Sequence, residues 1–394
     1  GAIVSNRTNN GIGIYAKEAG SEGINEGTIT MENKNAIGMY GKDVAKLESS
    51  TGSNIKVKKT GSVGMYGVVS ASATVPPFTV TNVGTIELEE GGSAGIYLVN
   101  KSTATDIIGN LSASNTGTIE LKSGEGSIGV YAPKATISNV GTVTMADVVK
   151  KSIAAYISDG GKITDASTAN INLGTSGKNI AYYVKNAGTS IGGANVGTVK
   201  GYGVGVYLEG TKANPTATPA VSASQATLEA NAPELKFNNG TTDGNGIIGL
   251  YLKGDTDISA YTKTITVGNT VGTNSAIGIY SDAQGVSGTP YVIKANIKTG
   301  TKAVGIFSAK GTDKSYIKYE GTQMDLGERS TGFYVNGGTE LASPTINLNG
   351  GLVAYVTENS TFKGGTATIN LTKSGIGVYG EKGAVVNVGT WTFN

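Results

Sequence analysis

Apolar and polar side chains alternate with period two over short stretches of this chain. Ile86 and Leu88 share one side while Thr85 and Glu87 share the other, and Ile119 and Leu121 oppose Thr118 and Glu120 in the same way. Period two is the repeat of a half-buried strand, not of a helix. Each stretch opens at a turn of the form Asn-x-Gly: Asn25-Glu26-Gly27-Thr28-Ile29, then the equivalents at Asn82, Asn115, Asn139, Asn195 and Asn387, the last with Trp391 in fifth place. Asn and Gly accept positive φ, so they turn the chain sharply, and Thr and Ile start the strand that follows.

Between these turns lies a second signature, Ile37-Gly38-Met39-Tyr40, with close copies ending at Tyr15, Tyr131, Tyr207, Tyr280 and Tyr379. Looser copies keep the aromatic residue at Tyr66, Tyr97, Tyr156, Tyr183, Tyr251, Phe307, Tyr334 and Tyr355. Phase predicts Ile248, Leu250 and Leu252 inside, with Gly249, Tyr251 and Lys253 outside. The glycine is then expected to lie bare beneath a neighbouring ring.

Neighbouring aromatics stand 21 to 34 residues apart, except for the 44 between Tyr207 and Tyr251. That is a repeat period. Each period supplies two strands and a third, less regular segment such as Phe78-Thr79-Val80 or Thr136-Ile137-Ser138. One such coil cannot offset the backbone entropy of about 1 to 2 kcal/mol per residue that ordering costs. Stacked coils can, because each strand pairs with its equivalents above and below around a shared apolar interior. The expected fold is all-β: a right-handed parallel β-helix, or solenoid, of about 14 rungs and roughly 60 Å, with loop insertions. Propeller blades need about 40 residues each, and leucine-rich repeats need an Asn-Leu consensus that is missing.

The whole chain, 1–394, reads as one such segment, with residues 208–234 as a protruding insertion. Its excess lies in Thr211 to Asn231, with Pro215 and Pro219, and Ser222-Ala223-Ser224-Gln225 has the capping-box spacing that would open a short helix over Ala226 to Ala230. Smaller excesses, at Pro76-Pro77 and at Ser102 to Asp106, also follow the aromatic strand. All three are expected at one corner, where insertions often form a binding face.

Composition narrows the chemistry. Gly accounts for 61 of 394 residues, charged residues for 15%, and the net charge is +2 without long runs, so no footprint for nucleic acid appears. Cys and His are both absent, which excludes disulfides, thiolates, Ser-His-Asp triads and imidazole-bound zinc. No apolar stretch reaches the length of a membrane helix. Carboxylate pairs are the catalytic equipment left. Asp255 with Asp257, and Glu87 with Glu89, share strand faces and have the residue types of a retaining glycosidase pair or a calcium site, but solvated strands carry such pairs routinely. The calcium-binding nonapeptide of β-rolls is missing, and Arg7 and Arg329 are the only arginines. No catalytic residue, metal or cofactor is therefore assigned.

The outward aromatic column has two readings. Stacked rings stabilise successive coils, and a long apolar strip edged by hydroxyls is a surface on which sugars or proteins dock. The candidate ligand-binding residues are those flanking the largest insertion: Tyr207, Tyr251, Thr211, Lys212, Asn214 and Asn231. The six turn asparagines are expected to form a structural amide ladder. Lys17, Lys42, Lys185 and Lys253 are expected to be solvated and to discourage edge pairing.

Arrays of units like Asn115 to Ile119 and Ile128 to Tyr131 resemble the passenger regions of the large fusobacterial type Va autotransporters, and the resemblance runs along essentially the whole chain. It implies a non-enzymatic adhesin segment at the cell surface, monomeric and not itself inserted in the membrane. A signal peptide and a C-terminal outer-membrane barrel would lie outside this sequence. The partners it implies are surface receptors of bacteria or host cells, including galactose-type glycans. A polysaccharide lyase or hydrolase and a passive spacer are the alternatives.

Overall fold

In the computed structural model, residues 1–6, 9–71, 77–102, 110–186, 188–212, 223–237, 246–282, 284–286, 288–309 and 315–394 are described. Among them the regular elements are all strands, every strand-to-strand ladder is parallel, and the chain is a parallel β-helix. Its hand is the right-handed one that parallel crossovers adopt almost without exception. Two compact units, Gly1–Val199 and Lys200–Asn394, are each built from coils with three faces.

In the first unit one face carries the tyrosine strands, Asn9–Lys17, Lys34–Lys42, Val63–Val69, Ala94–Asn100, Ile128–Pro133, Ile153–Ser158 and Asn179–Lys185. The face after the Asn-x-Gly turn stacks Ile29 on Ile55, Ile86, Ile119 and Val143, all fully buried. A third face stacks Leu47 on Val80, Ala113, Ile137 and Ile163. The less regular segments read from the sequence are thus true strands, Phe78–Asn82 and Thr136–Asn139. The second unit repeats the plan with a more aromatic interior, burying Phe237, Tyr261, Tyr319, Phe333 and Phe362.

Tyrosine strands depart from simple alternation. Ile248 is half-buried on the outside while Gly249 and Leu250 both face the interior, and the same in-in step recurs at Gly38-Met39 and Gly129-Val130. The expected inward Ile248 and outward Gly249 are therefore exchanged, and the glycine does not lie beneath a ring. It is needed on the inner wall. A Cβ at Gly38 would stand 2.5 Å from Ile55 Cγ2 and 2.6 Å from the Gly64 carbonyl of the next coil; at Gly95 the same two kinds of neighbour lie at 2.8 and 2.6 Å. Where the small residue changes, its neighbour compensates. Gly332-Phe333 stands in register with Val353-Ala354, and Gly129-Val130 with Ala154-Ala155. The pair fills one volume, as close packing requires.

The turns need glycine for two different reasons. Gly141, Gly197 and Gly389 have φ of 60°, 68° and 56°, as the sequence leads one to expect. Gly27, Gly84 and Gly117 do not; there a Cβ would run into the carbonyls of the preceding coil. The amide ladder is also shorter than expected. Asn82 Nδ2 donates to Asn115 Oδ1 at 2.8 Å, and Asn115 Nδ2 to the Val140 carbonyl at 2.6 Å. Ser49 holds the equivalent place one coil earlier, and a register shift pairs Asn139 with Ser114 instead. At the corner leading into the tyrosine strands, buried Ser62, Ser93, Ser127 and Ser152 form a second ladder. The Ser93 N–H donates to Ser127 Oγ at 3.3 Å and the Ser127 N–H to Ser152 Oγ at 3.1 Å.

The inner-wall glycines make a direct prediction. Gly38→Ala should lower unfolding free energy by about 1 to 3 kcal/mol through overpacking, whereas Ala154→Gly, in the same slot, should cost about 1 kcal/mol or less. Urea denaturation of both variants checks this, and equal midpoints for Gly38→Ala and wild type would show that the inner wall has room to spare.

Candidate functional site

The tyrosines form a continuous outer column within each unit. From Tyr15 to Tyr156 the ring centroids of successive coils lie 4.5 to 5.5 Å apart with interplanar angles of 3° to 20°. Tyr207, Tyr251, Tyr280, Phe307, Tyr334, Tyr355 and Tyr379 repeat this at 4.6 to 5.2 Å. Tyr183 differs, meeting Tyr156 edge-on at 90°. Coils climb by about 4.8 Å whereas carbon surfaces attract best near about 3.5 Å, so parallel rings must lean to touch. The result is an offset stack, a preferred aromatic geometry.

Because the signature's first residue faces outward, a second apolar column runs beside the rings. Ile37, Val63, Ile128, Ile153 and Ile180 form it in the first unit, and Val204, Ile248 and Val304 continue the pattern in the second; each is half-buried. Sequence reasoning placed these residues inside and so missed the strip's width. The signal was present in Gly-Met, Gly-Val and Gly-Leu pairs, whose combined volume suits two adjacent inward positions.

Tyr207 and Tyr251 belong to the column, 4.8 Å apart at 16°. The Tyr251 hydroxyl donates to Asp282 Oδ2 at 3.3 Å; burial and then that carboxylate push the phenol's pKa well up. Burial also raises Tyr207, against the opposing pull of Lys253, whose ammonium is 3.3 Å from Glu209. Thr211 exchanges backbone hydrogen bonds with Ser224 at 2.8 and 2.9 Å, and Lys212 beyond it is exposed. These four residues lie together at or beside the corner that follows the tyrosine strand. Asn214 lies outside the described residues. Asn231 is not part of the group: it sits in the turn after the third face, at a different corner of the coil.

The insertion is also smaller than 211–231. Ala226–Leu228 is a strand with Ala226 and Leu228 fully buried, in register with Thr256–Asp257, so the expected helix is not formed. Two fully buried apolar side chains at alternate positions favour a wall strand over an exposed helix. The Thr211–Ser224 pair closes the loop's base. Of the other excesses, Pro76 and Thr103 to Asp106 lie outside the described residues, while Pro77 is exposed and Ser102 is buried.

Asp255 accepts from Gln225 Nε2 at 3.1 Å and Asp257 caps the Ser259 N–H at 2.8 Å. Glu87 is held below the usual carboxylate range: burial opposes ionisation, but Asn54 at 2.7 Å and Lys56 at 3.3 Å outweigh it. Among the described residues no cluster of three or more acidic side chains is placed to hold a metal ion, and no helix is long and apolar enough to cross a membrane. Comparison with protein families, curated proteins and solved structures found no match.

Tyr131 and Tyr355 of the column should titrate late. Burial, with neighbouring Tyr97 and Tyr156, pushes Tyr131 up to about 12, and a hydrogen bond to Glu381 at 2.5 Å holds Tyr355 at about 12 as well. A phenol whose folded pKa exceeds the unfolded value of about 10 binds its proton more tightly when folded, so its contribution is complete below pH 10 and is lost as pH rises towards 12. Absorbance at 295 nm should show delayed ionisation, with stability falling above pH 10. Ionisation of all tyrosines near pH 10 would contradict the stacked column.

Proposed function

We propose that this chain is a segment of a bacterial surface adhesin. In this reading a rigid β-helix presents the tyrosine face and the adjoining insertion corner to receptors on other bacteria or host cells. The observation that supports it most directly is the exterior of the tyrosine face. Two apolar columns run side by side there, bordered by the corner at which the Thr211–Ser224 backbone pair closes the base of the insertion. Exposed apolar strips rimmed by polar residues mark interaction surfaces. The sequence resemblance to autotransporter passengers points the same way and implies an extracellular location. Ring stacking alone would account for the tyrosines, but not for the aliphatic column beside them.

Residues 212–223 replaced by a two-residue turn between Thr211 and Ser224 should leave the thermal midpoint within a few degrees, since the loop's base pairing and the Ala226–Leu228 wall are retained. Adhesion of the purified chain to bacterial and epithelial cells should fall by about tenfold or more. Undiminished adhesion would remove the loop from the reading. Release of reducing ends or unsaturated products from a polysaccharide panel, abolished by Asp255→Asn, would replace adhesion with catalysis.

A further inference from the structure

The second unit contains a groove of about 260 Å³ on its third face, beside the same corner. Its floor follows from one missing side chain. Along the outer column Tyr316 stands in register with Gly338 and Gly338 with Thr361, while Glu340 lies beside Gly338 in register with Lys363. A Cβ at Gly338 would collide with the Tyr316 ring, whose Cε1 would be 2.7 Å away, so the ring occupies the volume that a side chain there would need. Val286, in the antiparallel Val286–Thr289 bridge, and Gly288 also line the groove. Glu340 Oε2 and Lys363 Nζ stand 3.8 Å apart, an exposed pair that is loosely made and has hydrogen-bonding capacity to spare.

An aromatic ring fixed in place, one carboxylate, one ammonium and the Thr361 hydroxyl are what a pyranose needs. The sugar's C–H face stacks on the ring, its vicinal hydroxyls donate to the carboxylate, and a third oxygen accepts from the amine. The groove exceeds the volume of one hexose ring. Since the two charges balance, a neutral sugar fits better than an acidic one.

We propose that this groove binds a neutral hexopyranose, with Tyr316 as the stacking platform and Glu340 as the principal acceptor. The proposal deepens the adhesin reading, and rests on it, by assigning a glycan class to a named site. Saturation-transfer NMR on the intact chain, with methyl β-D-glucopyranoside, methyl β-D-galactopyranoside and methyl α-D-mannopyranoside as probes and sorbitol as the ring-less control, tests it. At least one glycoside should receive saturation at its ring protons with millimolar affinity, and sorbitol should receive none. Tyr316→Ala should weaken binding by about tenfold or more and Glu340→Gln by severalfold, with Val148→Ala, at an exposed turn of the first unit away from both the groove and the tyrosine face, unchanged. Glu340 is half-exposed, so its variant reports on the groove even should Tyr316→Ala unfold. No transfer to any glycoside, or equal binding by Glu340→Gln and wild type, overturns the proposal. Cell adhesion measured in parallel separates the two readings. Adhesion retained by Glu340→Gln with no glycoside binding leaves the adhesin reading standing without the groove, and glycoside binding without adhesion leaves the groove without the adhesin reading.

Discussion

The in-register backbone ladder between successive coils is the constraint on which everything else depends. Every strand must place its N–H and C=O groups against a coil above and a coil below, because unpaired backbone groups in a buried wall cost as much as lost hydrogen bonds. Once that ladder is set, side chains of like kind are forced to lie over one another at the strand spacing. The tyrosine stack, the buried serine ladder and the isoleucine column from Ile29 to Ile119 are consequences of this one repeat, not independent devices.

Side-chain chemistry then decides which columns can be filled. The inner wall admits one large residue per pair of adjacent positions, so glycine is fixed by approach to a neighbouring carbonyl in Gly38 and by a fully buried phenylalanine ring in Gly205, which meets Phe237. Buried phenols inside the coil find backbone acceptors: Tyr182 donates to the Val196 carbonyl at 3.0 Å and Tyr261 to that of Pro233 at 3.0 Å. That satisfaction is what lets a polar aromatic replace an aliphatic residue in the core.

The fold class, two of the three strands per coil and the outward tyrosines were legible in the sequence, because period-two alternation and the repeat interval are direct projections of the ladder. Less was legible wherever two inward residues are adjacent. Strict alternation put Ile248 inside and Gly249 outside, and only the volume of Gly249 with Leu250 could have corrected it. The capping-box pattern at Ser222 failed because Ala226 and Leu228 had a wall position to fill, and tertiary burial overrides a local helix signal. Asn231 was grouped with Thr211 by nearness along the chain, though a full face of the coil separates them. The groove at Tyr316 gave no sequence signal, since it arises from a glycine in register one coil later and 22 residues away.

The shared slot occupied by Gly332-Phe333 in one coil and Val353-Ala354 in the next has an evolutionary corollary. A single enlargement or deletion at either site is penalised, while a reciprocal exchange across the dipeptide is nearly neutral. Mutational drift in such a wall should therefore proceed by linked double steps, eroding the recognisable consensus from coil to coil while the cross-section of the tube stays constant.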